Sequence, residues 1–424
     1  MGGGLEENVS EIRELTASDF DAMVDIVWNA YPGRKIDTAE EKAQLKQRML
    51  KAHEELPGVR FHGLFRDGEL LGGARFYDFQ MNFLQVRMPA GGGGEMGVDL
   101  LHKKEHVAKE IVLYMLRRYR ERGVPLTIIY PFRPDFYRKM GFGCVTKMNQ
   151  YRVDPKALPR EGDKVHVRYV GASDVQPLLD CYHRVLDRIH GLIEKSAYEI
   201  ERMMENPKLR IVGYDDAEGR IGGYIVFAFE RGKHFLHNDI HVYEFVHETR
   251  EALAALMTFL HTQADQVARV VFDTQDEYFH FLLWDPRNDS GAMIPTVYHE
   301  SNVQGVGLMY RVSDVPRMFE LLAERDFGGQ TCQLELIIDD NFLPENAGST
   351  YLRFEEGRVR LVDGPDRDVT VSMDVADFSS LLAGAVTFRR LYQYSLAEIS
   401  DVGYLDVLDR IFAVAEKPVC MTGF

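Results

Sequence analysis

The chain has 424 residues, 45% of them hydrophobic and 27% charged, which is enough apolar material for several cores and a length of about two to four domains. Its formal net charge of −16 disfavours nucleic acid and anionic membrane as partners and would attract small cations such as amines, although plain acidic solubility is the preferred account of the charge. Cys144, Cys181, Cys332 and Cys420 form no CxxC pair, the start of the chain carries no basic and apolar leader, and no apolar run is long enough to cross a bilayer. A soluble cytoplasmic protein without disulfides or a cysteine zinc site is expected.

Residues 8–31 read as a strand and then a helix, with Ser18 or Asp19 as its cap and Phe20, Met23, Val24, Val27 and Ala30 at helical spacing. A charged helix is predicted over 38–55. The period then changes to that of strands at 60–65 and 70–79, joined by a turn at Asp67-Gly68-Glu69. A third strand at 83–88 precedes the glycine run Gly91 to Gly94, a short apolar stretch covers 95–99, and a strong helix is predicted over 105–118. A β-type run at 126–130, a short helix at 136–142 ended by Gly141, and a strand at 150–153 close the unit. Pro155, Pro159 and Gly162 mark a linker.

The same grammar starts again: a strand at 165–170, a helix at 175–189, a strand pair at 210–214 and 220–229, a strand at 241–246 and a helix at 249–263. Phe61-His62-Gly63 with Gly72-Gly73-Ala74 echoes Ile211-Val212-Gly213 with Gly222-Gly223-Tyr224, as an internal duplication would; chance likeness of two hairpins is the alternative. From about residue 304 the pattern changes to strands at 308–312, 332–339, 351–355, 358–362 and 369–373 and helices at 375–385, 387–391 and 401–414. The expected domains are therefore 1–158, 159–303 and 304–424.

Two stretches carry chemistry. Met96-Gly97-Val98-Asp99-Leu100-Leu101-His102-Lys103-Lys104-Glu105-His106-Val107-Ala108 runs from a strand through a basic turn into an amphipathic helix. Free N–H groups and the positive end of the helix dipole make such a place an anion site, and also an ordinary solvated turn. In Tyr130-Pro131-Phe132-Arg133-Pro134-Asp135-Phe136-Tyr137-Arg138-Lys139-Met140-Gly141-Phe142, a tyrosine between a β-run and a glycine can donate a proton to a leaving thiolate, or simply pack.

The strand, basic turn and helix followed by Phe-Tyr-Arg-Lys-x-Gly-Phe resemble the GNAT superfamily, and the duplication plus a third domain resemble the enhanced intracellular survival (Eis) family of acetyltransferases. The layout covers essentially the whole chain, with sharp motifs at 96–108, 130–142 and 421–424. The resemblance implies an α+β chain of two tandem GNAT-like domains, each a mixed central sheet with flanking helices, the second degenerate, followed by a sterol-carrier-like domain whose C-terminus returns to the active site. It implies acetyl-CoA as co-substrate without a metal, a small cationic amine of aminoglycoside or polyamine type as acceptor, and homo-oligomers, often hexamers. Carried over by position, Met96 and Val98 face the pantetheine arm with their backbone, and N–H groups near Val98 stabilise the oxyanion; Lys103, Lys104, His106, Val107 and Ala108 occupy the pyrophosphate loop. Tyr137 matches the general acid, and the α-carboxylate of Phe424 the base that takes the amine proton. The loop departs from the family pattern: lysine stands for the usual arginine, and His106 where a glycine allows close approach to phosphate. The alternative is a non-catalytic scaffold or lipid binder with a defunct coenzyme A loop.

The corresponding turn of the second unit, Val246-His247-Glu248-Thr249-Arg250-Glu251-Ala252, has neither a lysine pair nor a glycine, so no cofactor is expected there. His234, His237, Asp239, His241 and His247 suggest a metal, but an exposed polar strand face is the simpler expectation. Asp19, Asp21 and Asp25 with Trp28 orient an amine or form a solvated helix face, and the second is preferred. The third domain's apolar segments line a lipid cavity or form a plain core.

Overall fold

The computed structural model describes residues 10–34, 36–232, 237–288 and 290–424. In the first unit, β1 (Glu11–Glu14) leads into α1 (Phe20–Ala30) and α2 (Ala39–Glu55), followed by β2 (Val59–Arg66), β3 (Glu69–Phe83), β4 (Val86–Val98), α3 (Val107–Glu121), β5 (Leu126–Ile129), α4 (Pro134–Arg138), β6 (Gly143–Cys144) and β7 (Lys147–Val153). Thr38 starts α2 with a capping box, its hydroxyl accepting from Glu41 N while the Glu41 carboxylate takes the Thr38 N–H. The α1 entry differs from expectation: Asp19 reaches back to the Thr16 N–H at 2.7 Å while holding Arg13, so the capping side chain lies inside the turn it closes.

The glycine run does not follow a strand but lies within one. Cβ atoms on Gly91, Gly92 and Gly93 would stand 2.4 Å from the Tyr119 ring, 2.4 Å from the Phe79 ring and 2.8 Å from Met115 Sδ. These glycines let α3 and the aromatic side chains of β3 close directly onto the strand backbone.

The second unit contains β8 (Val167–Tyr169), α5 (Val175–Leu186), α6 (Ala197–Glu205), β9 (Arg210–Asp215), β10 (Ile221–Arg231), β11 (Asn238–His247), α7 (Arg250–His261) and β12 (Val267–Thr274). A hairpin of β13 (Met293–Ile294) and β14 (Tyr298–His299) precedes β15 (Asn302–Val306) and β16 (Met309–Val312). The third unit comprises α8 (Val315–Leu321), β17 (Cys332–Asp339), β18 (Gly348–Glu355), β19 (Arg358–Leu361), β20 (Val369–Asp374), α9 (Val375–Leu382), α10 (Phe388–Gln393), β21 (Ala397–Ile399) and α11 (Leu405–Ile411).

Strand order shows that the units interleave. The first sheet runs β1-β2-β3-β4-β5-β16-β6, the second β15-β7-β12-β11-β10-β9-β8 and the third β19-β18-β17-β20-β21. Thus β7, which the sequence assigns to the first unit, is a strand of the second sheet, and β16, assigned to the third unit, lies between β5 and β6 of the first. Alternation of apolar residues specifies a strand but not its partner, so neither exchange is visible in sequence. A buried ion pair fastens β16 to the third unit: Arg311 donates twice to Asp340, at 2.9 and 2.7 Å, with both side chains 0% exposed. Asn346 completes the knot with a 2.9 Å bond to Asp340. Removing one partner would strand a buried charge, a loss of about 3–5 kcal/mol.

One large core spans the third unit and the near face of the first sheet, drawing on Leu334, Leu352 and Phe378 together with Met81, Leu126 and Tyr310. No helix among the described residues is long and apolar enough to cross a membrane.

Candidate active site

The site forms where β4 parts from β5. Their parallel ladder stops at Gly93 opposite Ile129, while β4 continues to Val98 along β3. At the parting Ala74 of β3 lies opposite both Glu95 and Met96, because Arg75 faces Gly94 and Gly73 faces Gly97. This is a β-bulge, a device that re-aims side chains at strand ends near functional sites. Glu95 adopts a φ of 45°, uncommon for a residue with a Cβ.

Tyr137, on α4, points its hydroxyl at Met96, with Oη 3.8 Å from the sulfur. The side chain is buried against Phe132, Phe136 and Phe142. Burial first, and the neighbouring Tyr31 second, hold its phenol above the ordinary tyrosine range, so it stays protonated at neutral pH. Tyr31 donates to the Met96 carbonyl at 2.8 Å.

The C-terminal segment enters from the other side. Val419 N donates to the His190 carbonyl at 2.8 Å and Cys420 N to Gln275 at 2.6 Å, so the segment is tied to the second unit. Tyr130 Oη then donates to the Thr422 carbonyl at 3.2 Å, passing it to the first. The Phe424 ring sits among Tyr77, Phe79 and Tyr130, with centroids 5.4, 5.0 and 4.9 Å away. A Cβ on Gly94 would stand 3.2 Å from the Phe424 carboxyl carbon and 3.4 Å from Tyr77 Oη. Tyr137 and Phe424 are therefore both aimed at β4 between Gly94 and Met96.

Four further residues converge there. Arg34 donates to Glu95 at 2.9 Å, and Arg75 approaches its other oxygen at 3.7 Å while lying 4.7 Å over the Tyr77 ring. Together with the Tyr31 bond, this ties the turn after α1 down onto the bulge. The sequence reading passed over Tyr31, Arg34, Arg75 and Glu95. Only the neighbouring glycines signalled a close backbone approach.

Val98 ends β4 opposite Gly72, and the basic turn follows. Asp99 folds it, accepting from Leu101 N at 2.8 Å. Lys103, Lys104 and His106 are exposed, Val107 begins α3 as a buried residue and Ala108 is half-buried. Lys104 and His106 have φ values of 73° and 66°, so His106 occupies a left-handed backbone position of the kind a glycine usually fills. Glu105, the unwelcome charge of the loop, is drawn aside by Arg66 at 3.1 Å, which also holds Glu110 at 2.8 Å.

The other candidates separate. Asp19 pairs with Arg13, Asp21 with Lys46 and Asp25 with Lys42, whose ammonium also lies over Trp28, so these carboxylates cross-link α1 to its neighbours. His241 is held between Asp273 at 2.8 Å and Glu230 at 3.0 Å. No group of three metal-ligating side chains occurs among the described residues, and His234 lies outside them. At the turn into α7, Glu248 is clamped by Arg184 at 2.6 Å and the Thr249 hydroxyl caps Ala252 N, placing a carboxylate beside this helix start.

The acetyltransferase (GNAT) domain family matches residues 11–145 and again 186–312, and the sterol carrier protein domain family matches residues 318–421. No curated protein matches the chain. Among solved structures, a GCN5-related N-acetyltransferase from Anabaena variabilis is 17% identical with a TM-score of 0.81, over 98% of this chain and 100% of that one. One from Kribbella flavida is 20% identical with a TM-score of 0.78, over 98% of each chain. Eis1 from Mycobacterium abscessus is 22% identical with a TM-score of 0.75, over 98% of this chain and 100% of that one. The two matched GNAT domains make the chain an acetyl-CoA-dependent acetyltransferase of the GNAT class. Within that class its arrangement of two GNAT domains and a sterol carrier protein domain is Eis-like.

Proposed function

We propose that the chain transfers an acetyl group from acetyl-CoA to the primary amine of a small cationic acceptor of aminoglycoside or polyamine type, and that it does so in the first GNAT domain. The observation that carries this reading is the meeting of the Tyr137 hydroxyl and the Phe424 carboxyl group on three consecutive residues of β4, Gly94 to Met96. The site suits acetyl-CoA: β4 has an edge left open beyond Gly93, and the turn before α3 offers backbone in left-handed conformation with two exposed lysines. Acetyl-CoA supplies the acetyl thioester. Met96 and Val98 line its arm with their backbone, N–H groups near Val98 polarise the carbonyl, and Lys103, Lys104, His106, Val107 and Ala108 hold the diphosphate.

The acceptor amine attacks only when neutral. The Phe424 carboxylate takes its proton, through a water where the two do not touch, and Tyr137 Oη gives its own proton to the departing sulfur. Tyr77, Phe79 and Tyr130 around Phe424 favour a cationic group, and the net charge of −16 draws such molecules in. The second GNAT domain, with Glu248 before its helix, is assigned no cofactor.

Calorimetric titration of the untagged chain with acetyl-CoA should show one site. Replacing Lys103 and Lys104 together by alanine should cost about 2 kcal/mol, roughly thirty-fold in Kd. Absence of binding at millimolar acetyl-CoA would turn the reading to a scaffold.

Self-association belongs to the same proposal. Trp284, Ile294, Val297 and Tyr298 are 91, 62, 72 and 69% exposed along one segment, an apolar strip suited to a second copy. Light scattering should give a multiple of the 48.6 kDa chain mass, and Trp284→Glu with Val297→Glu should return it to one chain; a monomeric parent would refute the assignment.

A further inference from the structure

The second GNAT domain keeps an open groove where its relation to the first domain would place an acceptor site. The ladder between β11 and β12 stops at Val242 opposite Phe272, as β4 and β5 stop at Gly93 opposite Ile129. At that point Tyr243 is the extra residue of a bulge, since Phe227 faces Val242 and Val226 faces Glu244. The groove, about 670 Å³, is lined by Val226 and Ala228 of β10 together with Met203, Leu209 and Met421. That volume lies in the range of small-molecule sites. The same C-terminal segment thus visits both domains, with Met421 in this groove and Phe424 in the first-domain site.

Charge identifies the occupant. Glu244 on the floor is neutralised internally, its carboxylate held by Lys195 and accepting from Tyr224 Oη at 2.5 Å. Glu230 is engaged by His241, whose pKa is raised first by Asp273. Lys208 and Arg210 also line the groove and have no carboxylate partner among the described residues. Among the described residues, Arg210 bonds the backbone carbonyls of Pro207 and Leu209, at 2.8 and 2.9 Å. Two cations without a carboxylate partner in a partly apolar groove stand out on a chain of net charge −16.

We propose that this groove is a second small-molecule site, for an amphiphile with an apolar chain and a carboxylate head, and that its occupancy is felt by the C-terminal segment through Met421. The chain lies on Met203, Leu209 and Met421, and the head meets Lys208 and Arg210. This site needs no transfer chemistry, so it stands or falls separately from the activity assigned to the first domain.

The test uses full-length protein labelled with ¹³C at its methionine methyl groups, with the Met421 signal assigned through Met421→Leu. Decanoate should shift that signal saturably at one site per chain, and decyltrimethylammonium should not. Lys208→Glu with Arg210→Glu, both exposed positions, should weaken decanoate by about tenfold or more. An unmoved Met421 signal, equal effects of the two amphiphiles, or an unchanged decanoate affinity in the double variant would each overturn the proposal.

Discussion

Replacing Tyr137 with phenylalanine is expected to lower kcat by about 10²–10⁴-fold and to leave acetyl-CoA affinity within a factor of about two, the signature of a lost general acid. The substitution removes one hydroxyl whose partner is the Met96 thioether at 3.8 Å, a weak acceptor, so little stability depends on it. The ring contacts with Phe132, Phe136 and Phe142 remain. Because burial raises the phenol's pKa, the acid form is complete throughout the neutral range, and Tyr137 introduces no alkaline loss of rate below its ordinary value of about 10. Steady-state kinetics beside a calorimetric Kd separate the two effects. An unchanged kcat would remove Tyr137 from the chemistry.

Extending the chain beyond Phe424 by a short tag should depress turnover by about a hundredfold or more, while the same tag at the other end should not. A further residue would convert the terminal carboxylate to a neutral amide, which cannot serve as a base. It would also need room where the carboxyl carbon already stands 3.2 Å from the place of a Gly94 Cβ, within a cluster of three aromatic rings. Proteolytic removal of a tag that leaves Phe424 terminal should restore the rate. Full activity with the tag in place would exclude the carboxylate from the mechanism.

How much of this was legible depends on the range of the interaction involved. The charged helix from residue 38, the Asp67-Gly68 hairpin and the amphipathic α3 are written within a few residues each, and sequence finds them. The duplication also rests on local pattern, and the two matched GNAT domains agree with it. Partner choice is long-range: nothing near Met309–Val312 says that this strand belongs between β5 and β6. Helix α6, helix α8 and strand β12 were passed over, being short or lacking clear periodicity. Tyr137 and Phe424 stood out by resemblance, not by composition. The bulge that joins Arg34, Arg75 and Glu95 to them is a matter of register, which only a three-dimensional arrangement reveals.

The borrowed strand β16 also bears on how the protein is made. Domains on a nascent chain generally fold in the order they leave the ribosome, but here the first sheet stays unfinished until residue 312 has emerged. At about 5–20 residues per second, the wait after β7 is on the order of ten to thirty seconds. During it β5, whose four residues are all buried in the finished fold, is an uncovered hydrophobic edge able to pair with a neighbouring nascent chain. Ribosome-associated chaperones should therefore bind this stretch, and a gene cut after the first domain should yield an insoluble fragment instead of a small working enzyme.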